Sequence, residues 1–93
     1  MTAQPFRFGP TAAPDPAVHD LPALRLSDRA IAIHLLVRRA DDGAWRARLR
    51  FTDPDLESHD TAEIFCAESD AELWDAVRSL PEHDVRALYL SLV

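Results

Sequence analysis

Apolar and polar residues alternate most regularly between Ile31 and Thr52. In the first half, Ile31, Ile33, Leu35 and Val37 alternate with Ala32, His34, Leu36 and Arg38. In the second, Trp45, Ala47, Leu49 and Phe51 alternate with Arg46, Arg48 and Arg50. A period of two is that of a strand with one buried side. Asp41-Asp42-Gly43 between the halves is a turn signal for antiparallel strands. The stretch predicts a β-hairpin with an apolar face and an arginine face, its first strand running from about Arg29 to Arg39.

A polar connector from Asp53 to Asp60 follows, bearing Pro54. Thr61 to Glu68 then predicts a third strand, with Ala62, Ile64 and Cys66 on the buried side and Glu63, Phe65 and Ala67 on the other. Short connections make sequence neighbours spatial neighbours, so the three strands form a meander.

The period then changes. Ser69-Asp70-Ala71-Glu72 is a capping box, in which the serine accepts from the amide three residues on and the glutamate reaches back to the cap amide. Leu73, Trp74, Val77 and Leu80 fall on one face of the helix it opens. Val85, Leu88, Tyr89 and Leu92 match a second helix, with Ser79 and Glu82 as its capping box, Pro81 in the first turn, and Glu82 four residues before Arg86. Leu88, Leu90 and Leu92 also alternate, which keeps a terminal strand, and hence βββαβ, as the alternative.

The expected fold class is α+β: a three-stranded antiparallel sheet with two short C-terminal helices packed on one face. The expected core is Ile31, Ile33, Leu35, Val37, Trp45, Leu49, Phe51, Ile64, Leu73, Trp74, Val77, Leu88 and Leu92. Residues 1–22 hold five of the seven prolines, which predicts a flexible Pro/Ala-rich N-terminal arm ahead of a single small domain over 23–93. Within that arm Phe6-Arg7-Phe8 sets two aromatics around a cation, as a docking motif would. Leu21, Leu24 and Leu26 form an apolar lead-in, either a helical turn or an edge strand, and Ser27-Asp28 a corner.

Size and composition extend this picture. A domain of about seventy ordered residues buries only about 60% of its unfolded surface, so extra burial in a homodimer would help it. The ten cationic residues are all arginine, and asparagine is absent, a bias that fits a GC-rich bacterial genome. Net charge is −6, which argues against general polyanion binding, but the charge is unevenly spread. Seven arginines meet three aspartates between Arg25 and Arg50, whereas eleven acids meet two arginines between Phe51 and Val93. Cys66 is the single cysteine, so no internal disulfide forms. With no leader-like start and no run near the ~20 apolar residues of a membrane span, a soluble cytoplasmic protein is expected.

Catalytic patterns are missing. Two glycines, Gly9 and Gly43, cannot build a phosphate loop, and there is no G-x-S-x-G elbow. Alternation puts Cys66 in the core, where a thiol is inert. Asp53, Asp55, Glu57, His59 and Asp60 offer cation ligands, but Ser58 and Ile64 stand where a calcium loop needs glycine and a bidentate acid. The histidines lack zinc-site spacing. No cofactor, no metal and no enzymatic activity are expected.

That leaves Arg38, Arg46, Arg48 and Arg50 as the expected partner-binding residues, with His34 on the same face. Guanidinium groups grip carboxylates in forked geometry, so the expected function is a non-enzymatic interaction or regulatory module that binds a protein partner or itself. The alternative is a nucleic-acid accessory protein using the same face. It is weaker, because Trp45 and Phe51 point away from the arginines and only Phe65 is left there to stack on bases.

Overall fold

A computed structural model of the chain describes residues 16–93; Phe6-Arg7-Phe8 lies outside them. The elements are β1 (Ala17–Leu26), β2 (Arg29–Arg39), β3 (Trp45–Thr52), β4 (Ser58–Asp60), β5 (Phe65–Ala67), α1 (Asp70–Arg78) and α2 (Glu82–Leu92). The class is α+β. The antiparallel sheet runs β1-β2-β3, with β4 and β5 both paired to the far side of β3. The last segment is a helix, so the βββαβ alternative is overturned. No helix among the described residues is long and apolar enough to cross a membrane.

The central hairpin follows from its alternation. Leu35 pairs Leu49 and Ile33 pairs Phe51 on one face, while Leu36 pairs Arg48 and Arg38 pairs Arg46 on the other. Its turn closes by Ala40 N–H to Ala44 O (2.8 Å) and Gly43 N–H to Ala40 O (2.9 Å). Gly43 sits at φ +86°, the left-handed place of a three-residue hairpin loop. The connector after β3 repeats the pattern: Asp53 N–H bonds Glu57 O (3.0 Å) and Leu56 N–H bonds Asp53 O (2.8 Å). Leu56, at φ +67°, occupies the position that glycine fills in the first loop.

Two expectations about the sheet need correction. Residues 17–22, expected in the arm, form the first half of β1. A register shift between Leu21 and Leu24 accommodates Pro22, which an edge strand or bulge tolerates because no ladder donor is needed there. The expected third strand is not continuous. Thr61 N–H bonds Leu49 O (2.9 Å) and its hydroxyl accepts from Leu49 N–H (3.0 Å), after which Ala62–Ile64 bulge away before β5 begins. Phe65 then pairs Ala47, and Cys66 pairs Arg46. The facing is thus the reverse of that expected: Phe65 is buried, while Ile64 and Cys66 are exposed. Glu63, carried out on the bulge, does reach the arginine face.

Both helices cover the same side, α1 on β3 and β5, α2 on β1 and β4. Ser69 caps α1 by accepting from Glu72 N–H (3.2 Å), but Glu72 takes the amide of Glu68 rather than that of Ser69. The second capping box does not form. Ser79 instead donates its hydroxyl to Asp75 O at the end of α1 (2.7 Å), and Pro81 opens α2 with no side-chain cap. Leu73 and Tyr89 are the buried anchors of α1 and α2, Tyr89 packing on Phe51 with ring centroids 5.4 Å apart. The core holds Ile31, Ile33, Leu35, Val37, Leu49, Phe51 and Leu73 as expected, and adds Leu24, Ala47, Phe65 and Tyr89. Trp45, Trp74, Val77, Leu88 and Leu92 pack on it half-buried.

Candidate functional site

The other side of the sheet bears no helix among the described residues. Even-numbered positions of β2 and β3 point there, which brings Arg38, Arg46, Arg48 and Arg50 onto one surface as their spacing requires. Arg38 and Arg46 are direct cross-strand partners, a like-charge pairing that destabilises a sheet unless anions intervene.

Anions do intervene. Glu63 forms a forked pair with Arg38, at 2.6 Å to Nε and 2.7 Å to Nη2. Asp60 is shared: it accepts from Arg50 Nε (2.8 Å) and Nη2 (2.9 Å) and from Arg48 Nε (3.2 Å). Asp42, in the hairpin turn, lies 3.3 Å from Arg46. His34 joins the edge of the surface, 3.1 Å from Asp20 of β1. The four arginines therefore meet three carboxylates.

These contacts tune the acids. The Arg38 hydrogen bonds hold Glu63 below the usual carboxylate range, and Arg50, then Arg48, do the same for Asp60, against a smaller opposing effect of burial. Asp42 is lowered first by the backbone amide of Ala44 and then by Arg46. Arg38 and Arg50 are raised in return by Glu63 and Asp60. The arginine side chains stay about one-third exposed, so the surface is held in place without being sealed.

Cys66 lies opposite Arg46 on this open side, which corrects the expected core thiol. Leu36, 3% exposed, sits among the arginines, outside the main core. Sequence reasoning missed Asp60 and Asp42 as partners. Asp42, four residues before Arg46, carried a local signal; Asp60 needed the register of β4. Phe65, the one aromatic expected on this face, is buried toward the helices, which leaves the His34 imidazole, beside Asp20, as the ring on the open side of the described sheet.

The connector supplies the one metal-ligand cluster among the described residues. Oxygen or nitrogen atoms of Asp53, Glu57 and His59 lie within 4.8 Å of one another. Asp53 is buried, its Oδ1 accepting from the amides of Asp55 and Glu57 (3.0 and 3.1 Å). Its Oδ2 lies 3.9 Å from both Arg29 and His59. Arg29 thus already supplies positive charge where a cation would sit.

The geometry defines the class: an antiparallel α+β domain with helices on one face and an ion-paired arginine surface on the other. Comparison with protein-family models, with curated proteins and with solved structures finds no match.

Proposed function

We propose that this domain is a non-enzymatic interaction module that takes an acidic segment of a protein partner on its open sheet face, through Arg38, Arg46, Arg48 and Arg50. One observation carries the reading. Glu63 and Asp60 already occupy the guanidiniums in the forked geometry an incoming carboxylate would use, so the side chains are pre-ordered for that ligand. Exposed ion pairs contribute only about 0–1 kcal/mol each, and exchanging an internal acid for a partner's costs correspondingly little. The acidic helices of a second copy are one such partner.

Among the described residues that side carries no Phe, Tyr or Trp, and its one ring, His34, lies against Asp20, which speaks against the nucleic-acid alternative. The test is fluorescence anisotropy with a labelled Glu-rich peptide and with a short single-stranded DNA, alongside light scattering. Reversing Arg46, Arg48 and Arg50 to Glu should weaken peptide binding about tenfold or more, a loss of about 1.4 kcal/mol, with the helical and sheet signal intact. Unchanged peptide binding and unchanged self-association would sink the proposal. DNA bound more tightly than the peptide, with a steep salt slope, would replace it with the alternative.

A further inference from the structure

The sheet has two borders, and they are unequally guarded. On one side β4 and β5 are three residues each, with the Ala62–Ile64 bulge between them. Short strands and bulges keep an edge from pairing with another chain. On the other side β1 runs for ten residues, and no described segment pairs with its outer edge. Alternate residues of such a strand turn unpaired amides and carbonyls outward, where another strand can take them up. Its one interruption is the register shift between Leu21 and Leu24, where Pro22 and Ala23 together stand opposite Ala32. The extra residue makes the facing of β1 symmetric about its bulge. Asp20 pairs His34 and Arg25 pairs Ala30 on the arginine side, whereas Leu21 pairs Ile33 and Leu24 pairs Ile31 on the helix side.

We infer that β1 pairs antiparallel with β1 of a second copy about a two-fold axis at Pro22-Ala23, so that two sheets become one. The bulge selects this occupant. A regular strand has to break its ladder where β1 bulges, as β2 does at Ala32, while a second β1 sets bulge against bulge and keeps register through both halves. Each side then matches itself. Leu21 lies opposite Leu24 of the second copy on the helix side, and Asp20 opposite Arg25 of the second copy on the arginine side, at the roughly 5 Å spacing of cross-strand neighbours. The two-fold axis repeats both pairs. These charges are available. The Asp20 side chain is 90% exposed although it touches His34 at 3.1 Å, and Arg25 is exposed and met by no carboxylate among the described residues. Arg78 and Glu82 stand nearby on the helix side, but each is paired within its own helix. One charge of each sign on β1 is left to fix the register. The inference stands apart from the arginine-face proposal, since it rests on the main chain and edge of β1.

The test is sedimentation velocity on the full chain, wild type against Asp20→Arg and Arg25→Glu, both at exposed positions. The wild type should dimerise. Each variant alone sets like charges opposite one another twice and should dimerise about tenfold less tightly. An equimolar mixture of the two variants restores opposite charges in both pairs and should dimerise about as tightly as wild type. Hydrogen exchange gives a second reading: the outward-facing amides of β1 should gain protection as the protein concentration rises. A wild type that stays monomeric at every attainable concentration, variants that dimerise as wild type does, or a mixture no tighter than its components would overturn the inference. Protection of that edge in a monomer would overturn it too, and would give the edge to residues 1–15 of the same chain. A dimer indifferent to both variants but lost on reversing Arg46, Arg48 and Arg50 would move self-association to the arginine face, so the two readings fail separately.

Discussion

Replacing Asp60 by Asn separates what the arginine surface does for the fold from what it does for binding. Asp60 is the hub of that surface, accepting three hydrogen bonds from two arginines. Its side chain is 31% exposed, beside arginines at 29% and 38%. That exposure places the contacts near the surface limit, where an ion pair contributes about 0–1 kcal/mol, and well short of a buried pair. About 0.5 kcal/mol per arginine gives a loss of ~1 kcal/mol for Asp60→Asn, or a drop in Tm of about 4–8 °C for a domain of this size. The sign with pH follows from the depressed carboxyl, lowered by Arg50 first and then Arg48. Such a group contributes stability that is present above its unfolded pKa and lost as pH falls through its lower folded value. In urea unfolding followed by tryptophan fluorescence, the gap between wild type and variant should be full at neutral pH and close in strong acid. Binding should move the other way, because two guanidiniums are released: the Glu-rich peptide should bind more tightly to Asp60→Asn than to wild type. A stability gap that does not change with pH would refute the electrostatic argument. Weaker peptide binding would refute the idea that internal acids stand in for a partner's.

Leu73 is the single fully buried residue of α1, so Leu73→Ala should cost about 2–5 kcal/mol by lost burial and cavity formation; a loss below about 1 kcal/mol in urea unfolding would show that α1 is not anchored there. Leu56 is 83% exposed and holds a left-handed backbone. Leu56→Gly removes a strain of about 1–2 kcal/mol and gives part of it back as unfolded-chain entropy, for a net gain of about 0.5 kcal/mol; a lower urea midpoint would contradict this. Cys66 should react with iodoacetamide in the folded protein at a rate near that of the unfolded chain, because it is exposed. Strong protection in mass-spectrometric labelling would return it to the core side.

The parts of the fold readable from sequence were those where apolar and charged residues alternate without ambiguity. Ile31 to Thr52 offers only one way to face a strand, since turning it over would bury Arg46, Arg48 and Arg50. Thr61 to Glu68 offers two. Ala62, Ile64 and Cys66 are as apolar as Phe65 and Ala67, so a bulge of Ala62–Ile64 could reverse the expected facing without burying a charge. The start of β1 was hidden for another reason: Pro16 and Pro22 suggest irregular chain, and only pairing with β2 makes Ala17–Leu21 a strand. Ser79 shows the same limit at a helix end. Its spacing to Glu82 fits a capping box, yet the hydroxyl finds the nearer carbonyl of Asp75.

The arginines themselves were visible, and so was Glu63 on their side of the third strand, but Asp60 and Asp42 were not, which changes what the surface means. From sequence alone, four guanidiniums sharing a face with Glu63 look like positive charge largely unspent and awaiting an acidic ligand. In the fold, Arg38 faces Arg46 directly, and Glu63 and Asp42 are placed to relieve that repulsion, the first by the β-bulge and the second by the hairpin turn. Asp60 performs the same task for Arg48 and Arg50 through the register of β4. A face with four guanidiniums held by three carboxylates attracts anions only weakly through its remaining charge; it discriminates among them mainly through the geometry in which its guanidiniums are held. Selectivity for paired carboxylates over isolated ones is then the physical property that distinguishes a recognition surface from a merely solvated one.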